Sequence, residues 1–260
     1  MRTPIYQVDA FAPERFGGNP AAVMPLDAFP DDAKMQAVAA ENNLAETAFL
    51  VPNGNGWNLR WFTPATEVPL CGHATLATAW VVSEKLEPGR MDMVFHTQSG
   101  QLGVRRNGDR FVMNFPRRYA EPIEAPAELQ SALGAKPAEV LHDSFNVVAV
   151  FDSADTVRGL TPDMAAIARI ADGVIVTAPG DRGYHCVSRY FAPKKGIPED
   201  PVTGGAHCTL TPYWCARLGL EEIRAYQASP RGGELVCRWK GDRVELEGRC
   251  IFYMEGTAEI

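Results

Sequence analysis

The sequence predicts an α+β fold built as two pseudo-symmetric lobes, each a barrel-like, mainly antiparallel sheet wrapped around one central apolar helix. Three observations carry that expectation. Strand-like runs dominate the chain. Two segments, GHATLATAWVVSEKL from Gly72 and GGAHCTLTPYWCARLGL from Gly204, are apolar on nearly every side of a helix. A helix that is apolar all round has to be enclosed by other structure. The third observation is an internal repeat. Gly100, Leu102, Arg105, Gly108, Asp109 and Arg110 return as Gly233, Leu235, Arg238, Gly241, Asp242 and Arg243, each 133 positions later. Phe62 and Pro64 return as Phe191 and Pro193, and PLCGHAT from Pro69 aligns with PVTGGAH from Pro201, at offsets of 129 and 132. Recurring hairpin chemistry explains NGDR and KGDR, but not three blocks in one order. Lobes at residues 1–118 and 119–260 follow, with the Pro- and Glu-rich YAEPIEAPAEL as linker and the last strand available to pack back on the first lobe.

Taken in order, IYQVDAF reads as a strand, and GGNPAAV as a loop leading into the next one. DDAKMQAVAAENN reads as a helix, with Asp31 and Asp32 at its start after Pro30. ETAFLVP and WNLRWFTP read as strands. RRNGDRFVMNF is a hairpin turning on Asn-Gly. In the second half FNVVAVF, GVIVTAP and YHCVSRYFAP read as strands and TPDMAAIARI as a helix, with CRWKGDRVELEG a second hairpin. Pro212 is expected to kink or delay the second apolar helix, because it removes a hydrogen bond and crowds the preceding turn.

The bulk properties narrow the function. The chain has 260 residues, is 46% hydrophobic and 22% charged, and carries a formal charge of −7. With no run of Lys or Arg, nucleic acid and anionic membrane are disfavoured as partners. No leader-like apolar segment and no membrane-length apolar run occur, so a cytoplasmic protein with reduced thiols is expected. The six cysteines are Cys71, Cys186, Cys208, Cys215, Cys237 and Cys250, and none forms a C-x-x-C pair. Zinc held by Cys71/His73, Cys186/His185 and Cys208/His207 is conceivable, but adjacent residues chelate one tetrahedral ion poorly, so no metal is expected. No P-loop or dinucleotide fingerprint is present, so no cofactor is expected either.

Candidate chemistry gathers at the two helix starts. A helix N-terminus presents unpaired N–H groups and partial positive charge, which suits a small anion such as a carboxylate. Gly72, Gly204 and Gly205 let a ligand approach the backbone closely. With the lobes related by a pseudo-two-fold axis, the Cys-Gly-His and Thr-Gly-Gly turns would face one shared ligand. Glu46, in NNLAETAFL, lies between a polar helix end and an apolar strand. Burial there is the setting in which a carboxyl exchanges protons near neutral pH; an ordinary surface glutamate is the plainer alternative. His73 is placed to donate to a substrate oxygen or relay a proton, or simply to fill a first helical turn. Asp200, before Pro201, is a second proton carrier or a carboxylate complementing the helix dipole. Cys71 is a candidate base, since a helix N-terminus lowers a thiol pKa; its counterpart Thr203 cannot act likewise. Asn19, in GGNPAAV, contacts substrate or merely forms a turn.

FGGNPAAV, NNLAETAFL, FTPATEVPLCGHATLA and YFAPKKGIPEDPVTGGAHCTL together resemble the PhzF-like (phenazine-biosynthesis-like) isomerases and epimerases, in the family's order and over nearly the whole chain. The resemblance implies a diaminopimelate epimerase-like fold, a homodimer, no cofactor, and proton transfer to and from carbon, as in the double-bond migration of dihydro-3-hydroxyanthranilate. It places the family's catalytic glutamate at Glu46, its histidine at His73 and its aspartate at Asp200. One position departs. The family motif Asp-Pro-x-Thr-Gly-Ser-Ala-His has glycine, Gly205, at the serine, so a hydroxyl is missing here. Proline racemases and hydroxyproline dehydratases also carry Cys-Gly-His at this place, and a Cys71/Thr203 pair fits the dehydratases. A non-catalytic binding protein on the same fold is the third reading, since fold does not establish activity.

Overall fold

The computed structural model describes residues 2–260, and the chain divides into two compact units. One runs to Asn114 and takes in Glu247–Ile260; the other is Phe115–Leu246. The first unit contains β1 (Arg2–Ala10), β2 (Asn19–Pro25), α1 (Asp32–Asn42), β3 (Glu46–Asn53), β4 (Gly56–Phe62), β5 (Glu67–Val68), α2 (Gly72–Val81), β6 (Asp92–Thr97), β7 (Gly100–Asn107) and most of β8 (Arg110–Pro116). The second contains β9 (Glu121–Pro122), α3 (Leu129–Leu133), β10 (Glu139–His142), β11 (Val147–Val150), α4 (Ala154–Gly159), α5 (Met164–Ile170), β12 (Val174–Pro179), β13 (Cys186–Phe191), α6 (Gly204–Leu218), β14 (Glu222–Gln227) and β15 (Gly233–Lys240). The long β16 (Arg243–Glu259) begins in the second unit and ends in the first.

In the first unit the strands run β1-β2-β3-β4-β6-β7-β8, and β16 pairs with both β8 and β1, which closes eight strands into a barrel. Most neighbours are antiparallel. The two parallel pairs, β2–β3 and β4–β6, are those bridged by a helix, α1 and α2 respectively. Parallel neighbours need such a crossover. The second unit repeats this plan. Its strands run β15-β14-β13-β12-β11-β10-β9; the parallel pair β11–β12 is bridged by α4 and α5, and β13–β14 by α6. The repeated sequence blocks thus correspond to repeated connectivity.

The apolar helices are enclosed as their composition requires. Eight residues of α2 are buried, from His73 to Val81, and ten of α6. Leu76, Trp61 and Phe95 in the first unit have almost no exposed surface, and each such side chain stabilises the fold by about 1.5–3 kcal/mol on leaving water. Helical threonines inside these walls satisfy their hydroxyls locally: Thr75 donates to Cys71 O, Thr78 to Ala74 O and Thr211 to His207 O. In the second unit Leu129, Phe151, Ile167, Val176 and Phe191 form the core on the other side of the sheet.

Three local expectations change. Asn19 and Pro20 are the first residues of β2, not loop, because Asn19 already pairs with Ala10. YAEPIEAPAEL is not a free linker: Glu121–Pro122 pairs with β10, and Leu129 opens α3 with its side chain fully buried. Pro212 does not delay its helix, since α6 runs unbroken through it. The carbonyl that Pro212 cannot serve, Cys208 O, accepts instead the backbone N–H of Arg118 at 3.0 Å, so the missing bond is replaced from outside the helix.

Candidate active site

In the first unit three elements deliver side chains to one place. α1 ends at Asn43 in the left-handed conformation, φ 47°. The chain reverses there, and β3 starts at once with Glu46. β2 lies parallel beside it, Ala21 opposite Glu46, and starts with Asn19. Asn19 depends on the glycine before it: Gly18 has φ 70°, and a Cβ there would stand 2.4 Å from Ala10 O, so no other residue fits without strain. The third element is the start of α2, where Cys71 is the N-cap and His73 lies in the first turn.

The four side chains meet. His73 Nε2 is 2.9 Å from Glu46 Oε2, an ion-pair distance outside hydrogen-bond alignment. On the other edge of the ring, His73 Nδ1 is 3.1 Å from Asn19 Nδ2 and 3.6 Å from Cys71 Sγ. All are buried: Asn19 is 0% exposed, His73 5%, Cys71 6% and Glu46 8%. Glu46 is therefore not a surface glutamate. Burial works against a charged imidazole, yet the adjacent Cys71 sulfur and Glu46 carboxylate overcome it and hold His73 well above its ordinary pKa. The Cys71 thiol moves the opposite way from the expected activation. Burial first and the Glu46 charge second push it up, with His73 only partly offsetting them. A helix N-terminus lowers a thiol pKa only where desolvation does not outweigh it.

Glu46, Cys71 and His73 also form a possible metal-donor group, with one donor atom from each inside 4.8 Å of the others. This is not the three Cys/His pairs suggested by sequence. The imidazole stands between its two partners, with Glu46 at Nε2 and Cys71 at Nδ1. One ion bound to one ring nitrogen would require the carboxylate or the thiol to change sides.

In the second unit Asp200 and Thr203 sit just before α6. Thr203, the N-cap, makes no side-chain cap bond, because its hydroxyl donates to Asp200 Oδ2 at 2.5 Å. Gln227, fully buried at the end of β14, accepts from Thr203 N at 2.9 Å and donates to Asp200 O at 2.7 Å. Sequence reasoning missed Gln227. Its signal was the inward face of EIRAYQ: Ile223, Ala225 and Gln227 alternate on the buried side, which puts a polar residue on an apolar face. Gly204 and Gly205 open the helix. Gly205 lacks the positive φ of a turn glycine, and a Cβ on it would meet Arg118 Nη1 at 3.5 Å.

The two helix starts are equivalent in detail. The 132-residue offset relates Cys71 to Thr203, and both are extended N-caps with no side-chain cap bond. It relates Thr75 to His207, and each bonds back to the carbonyl of its N-cap, Thr75 Oγ1 to Cys71 O and His207 Nδ1 to Thr203 O. It also relates His73 to Gly205.

The sequence matches the family described as phenazine biosynthesis-like protein over residues 8–256. The chain belongs to that family. It is 49% identical to an uncharacterized isomerase of Pseudomonas aeruginosa, over the full length of both proteins. The crystal structure of a PhzF-family phenazine biosynthesis protein of Enterococcus faecalis superposes with a TM-score of 0.97 at 44% identity, covering both chains completely. The chain is accordingly a PhzF-like isomerase on an α+β fold. A hydroxyproline epimerase of Agrobacterium vitis superposes at 0.65 with 10% identity over 98% and 92% of the two chains, a likeness of fold alone. Among the described residues no helix is long and apolar enough to cross a membrane.

Proposed function

We propose that the protein is a cofactor-independent isomerase or epimerase that moves a proton on a small carboxylate-bearing compound, with Glu46 as general acid/base. One observation supports this above the others: Glu46 is buried at the start of β3 against His73, 2.9 Å away at the start of α2. A proton taken from carbon needs a positioned carboxylate with little water around it. His73 stands 2.9 Å from that carboxylate and sets a positive charge beside it. The Asn19 amide stands 3.1 Å from Nδ1, and toward a protonated ring it turns its oxygen, the end that accepts. Each required group is a side chain of the protein, so the step needs no other participant. On the family resemblance Asp200 is the second proton-carrying carboxylate, with Thr203 and Gln227 fixing its orientation. The backbone N–H groups of Gly72, Gly204 and Gly205 are the donors for substrate anions.

The test is solvent exchange. In deuterated water the wild type washes deuterium into its substrate. Glu46→Gln keeps size and polarity but cannot exchange the proton, and turnover falls by about 10²–10⁴-fold, while Cys71→Ala remains near wild type. The reverse pattern would move the mechanism to the racemase and dehydratase chemistry of a Cys71/Thr203 pair. The raised thiol of Cys71 speaks against that second reading.

A further inference from the structure

Arg118 is a cation without an acid. Among the described residues it forms no ion pair and donates no side-chain hydrogen bond. Its place is nonetheless fixed twice. Its backbone N–H is held by Cys208 O, the carbonyl left open by Pro212 in the middle of α6. Its guanidinium lies over the Phe145 ring, 4.5 Å from the centroid, a contact that orients the planar group without neutralising it. The side chain is only half-buried, so it remains open to solutes.

The guanidinium is held at Gly205. A Cβ on that glycine would lie 3.5, 3.9 and 4.0 Å from Nη1, Nη2 and Cζ. Gly205 is the repeat equivalent of His73, so at this point of the first unit the chain itself carries a cationic ring, while in the second it carries no side chain and a guanidinium comes in from outside the helix. No turn geometry demands the glycine, because its φ is not positive. With no side chain there, the guanidinium lies directly beside the first turn of α6.

We propose that Arg118 is a substrate-positioning residue: its guanidinium, which lies directly against the first turn of α6 at Gly205, receives a carboxylate of the substrate beside that turn. The proposal rests on the reading that the start of α6 faces substrate, and it adds the chemistry by which substrate is chosen. A guanidinium fork matches a planar carboxylate with two parallel hydrogen bonds, whereas an uncharged amide of the same shape gains little from it. A PhzF-like enzyme with serine at this position offers a hydroxyl; this one offers a permanent charge and so prefers an anionic group there.

The test uses benzoate and benzamide, alike in shape and different in charge, titrated into the full-length protein while the backbone amide resonances of Gly204 and Gly205 are followed. In the wild type benzoate moves both resonances saturably and benzamide binds at least tenfold more weakly. Arg118→Gln keeps the backbone N–H that bonds Cys208 O, so its melting temperature stays near wild type, but its preference for benzoate over benzamide disappears. Gly205→Ser puts a hydroxyl against the guanidinium and weakens benzoate several-fold without changing the fold. If Arg118→Gln retains the wild-type preference while both resonances still move, Arg118 is not the reader, although the helix start remains a ligand site. If benzoate leaves both resonances of the wild type unmoved, the helix start is not a ligand site and the assignment of Arg118 falls with it.

Discussion

Glu46 and His73 are each buried in a setting that would be costly for either one alone. Removing one partner of a buried ion pair leaves an uncompensated charge, a loss of about 3–5 kcal/mol. His73→Gln is therefore expected to destabilise the protein by roughly that amount near pH 6. The pH dependence follows from the direction of the shift. His73 is raised in the folded protein, so its contribution is complete below the unfolded value of about 6.5 and is lost as pH rises through the higher folded value. Urea unfolding of wild type and variant should show a gap that narrows at alkaline pH. A gap independent of pH would mean that His73 is held as a neutral ring. At this scale the sequence was legible where identity decides chemistry: Glu46, His73 and Asp200 stand out as residues in motifs. Cys71 misled because the helix N-terminus is visible in sequence, whereas the desolvation and the neighbouring carboxylate that outweigh it depend on packing. Gln227 and Arg118 lie far in sequence from the helix start they serve, at the end of β14 and just after β8, and no local spacing joins them to it.

α2 and α6 show what a repeated element keeps and what it changes. Both start with an extended N-cap, and both use the fourth residue after the cap to hold the cap's carbonyl, as Thr75 and His207 do. The fully buried imidazole carries a penalty that the hydroxyl avoids. Burial depresses His207 to about 4, with its bond to Thr203 O offsetting only part. Between pH 6.5 and 4 the unfolded chain takes up a proton that the folded protein refuses, so stability falls with pH by roughly 3 kcal/mol over that window. His207→Thr, copying Thr75, keeps a donor for Thr203 O and removes the titrating group. Denaturant unfolding at pH 6.5 and pH 4 should show the fall shrink by about 3 kcal/mol in the variant; an unchanged fall would show that His207 is protonated in the fold. The helices α1, α2, α5 and α6 and most strands were readable because their periodicity and composition are local, whereas the short α3 and α4 were not. The continuity of α6 was not, since the group that replaces Pro212's missing donor comes from Arg118. The short β9 and β10 escaped for a similar reason: exposed Glu121 and Pro122 have no strand propensity, and only pairing makes them one.

At the scale of the whole molecule, the sequence repeat suggests a cut near residue 118 with the last strand available to the first lobe; the first compact unit runs to Asn114 and takes in Glu247–Ile260. The first unit is closed by β16, which pairs with β1 along Arg2 to Ala10 and with β8 on its other side. A fragment of residues 2–118 therefore lacks its eighth strand. Both β1 and β8 would become open edges, with unpaired backbone groups that favour aggregation over a closed barrel. The register offers a direct repair. Arg2 lies opposite Glu259 in the antiparallel β1–β16 pair, so the end of β16 and the start of β1 are neighbours that a short glycine-containing hairpin turn can join. A permuted chain in which residues 247–260 precede residues 2–114 through such a turn contains all eight strands and the enclosed α2. It is expected to give a cooperative thermal transition and dispersed amide resonances, while the 2–118 fragment gives neither. The permuted chain should also retain the Glu46–His73 pair, detectable as a His73 ring that stays protonated above pH 6.5. A well-folded 2–118 fragment would show that β16 is dispensable to the barrel, and an unfolded permutant would show that the first unit needs the second for more than that strand.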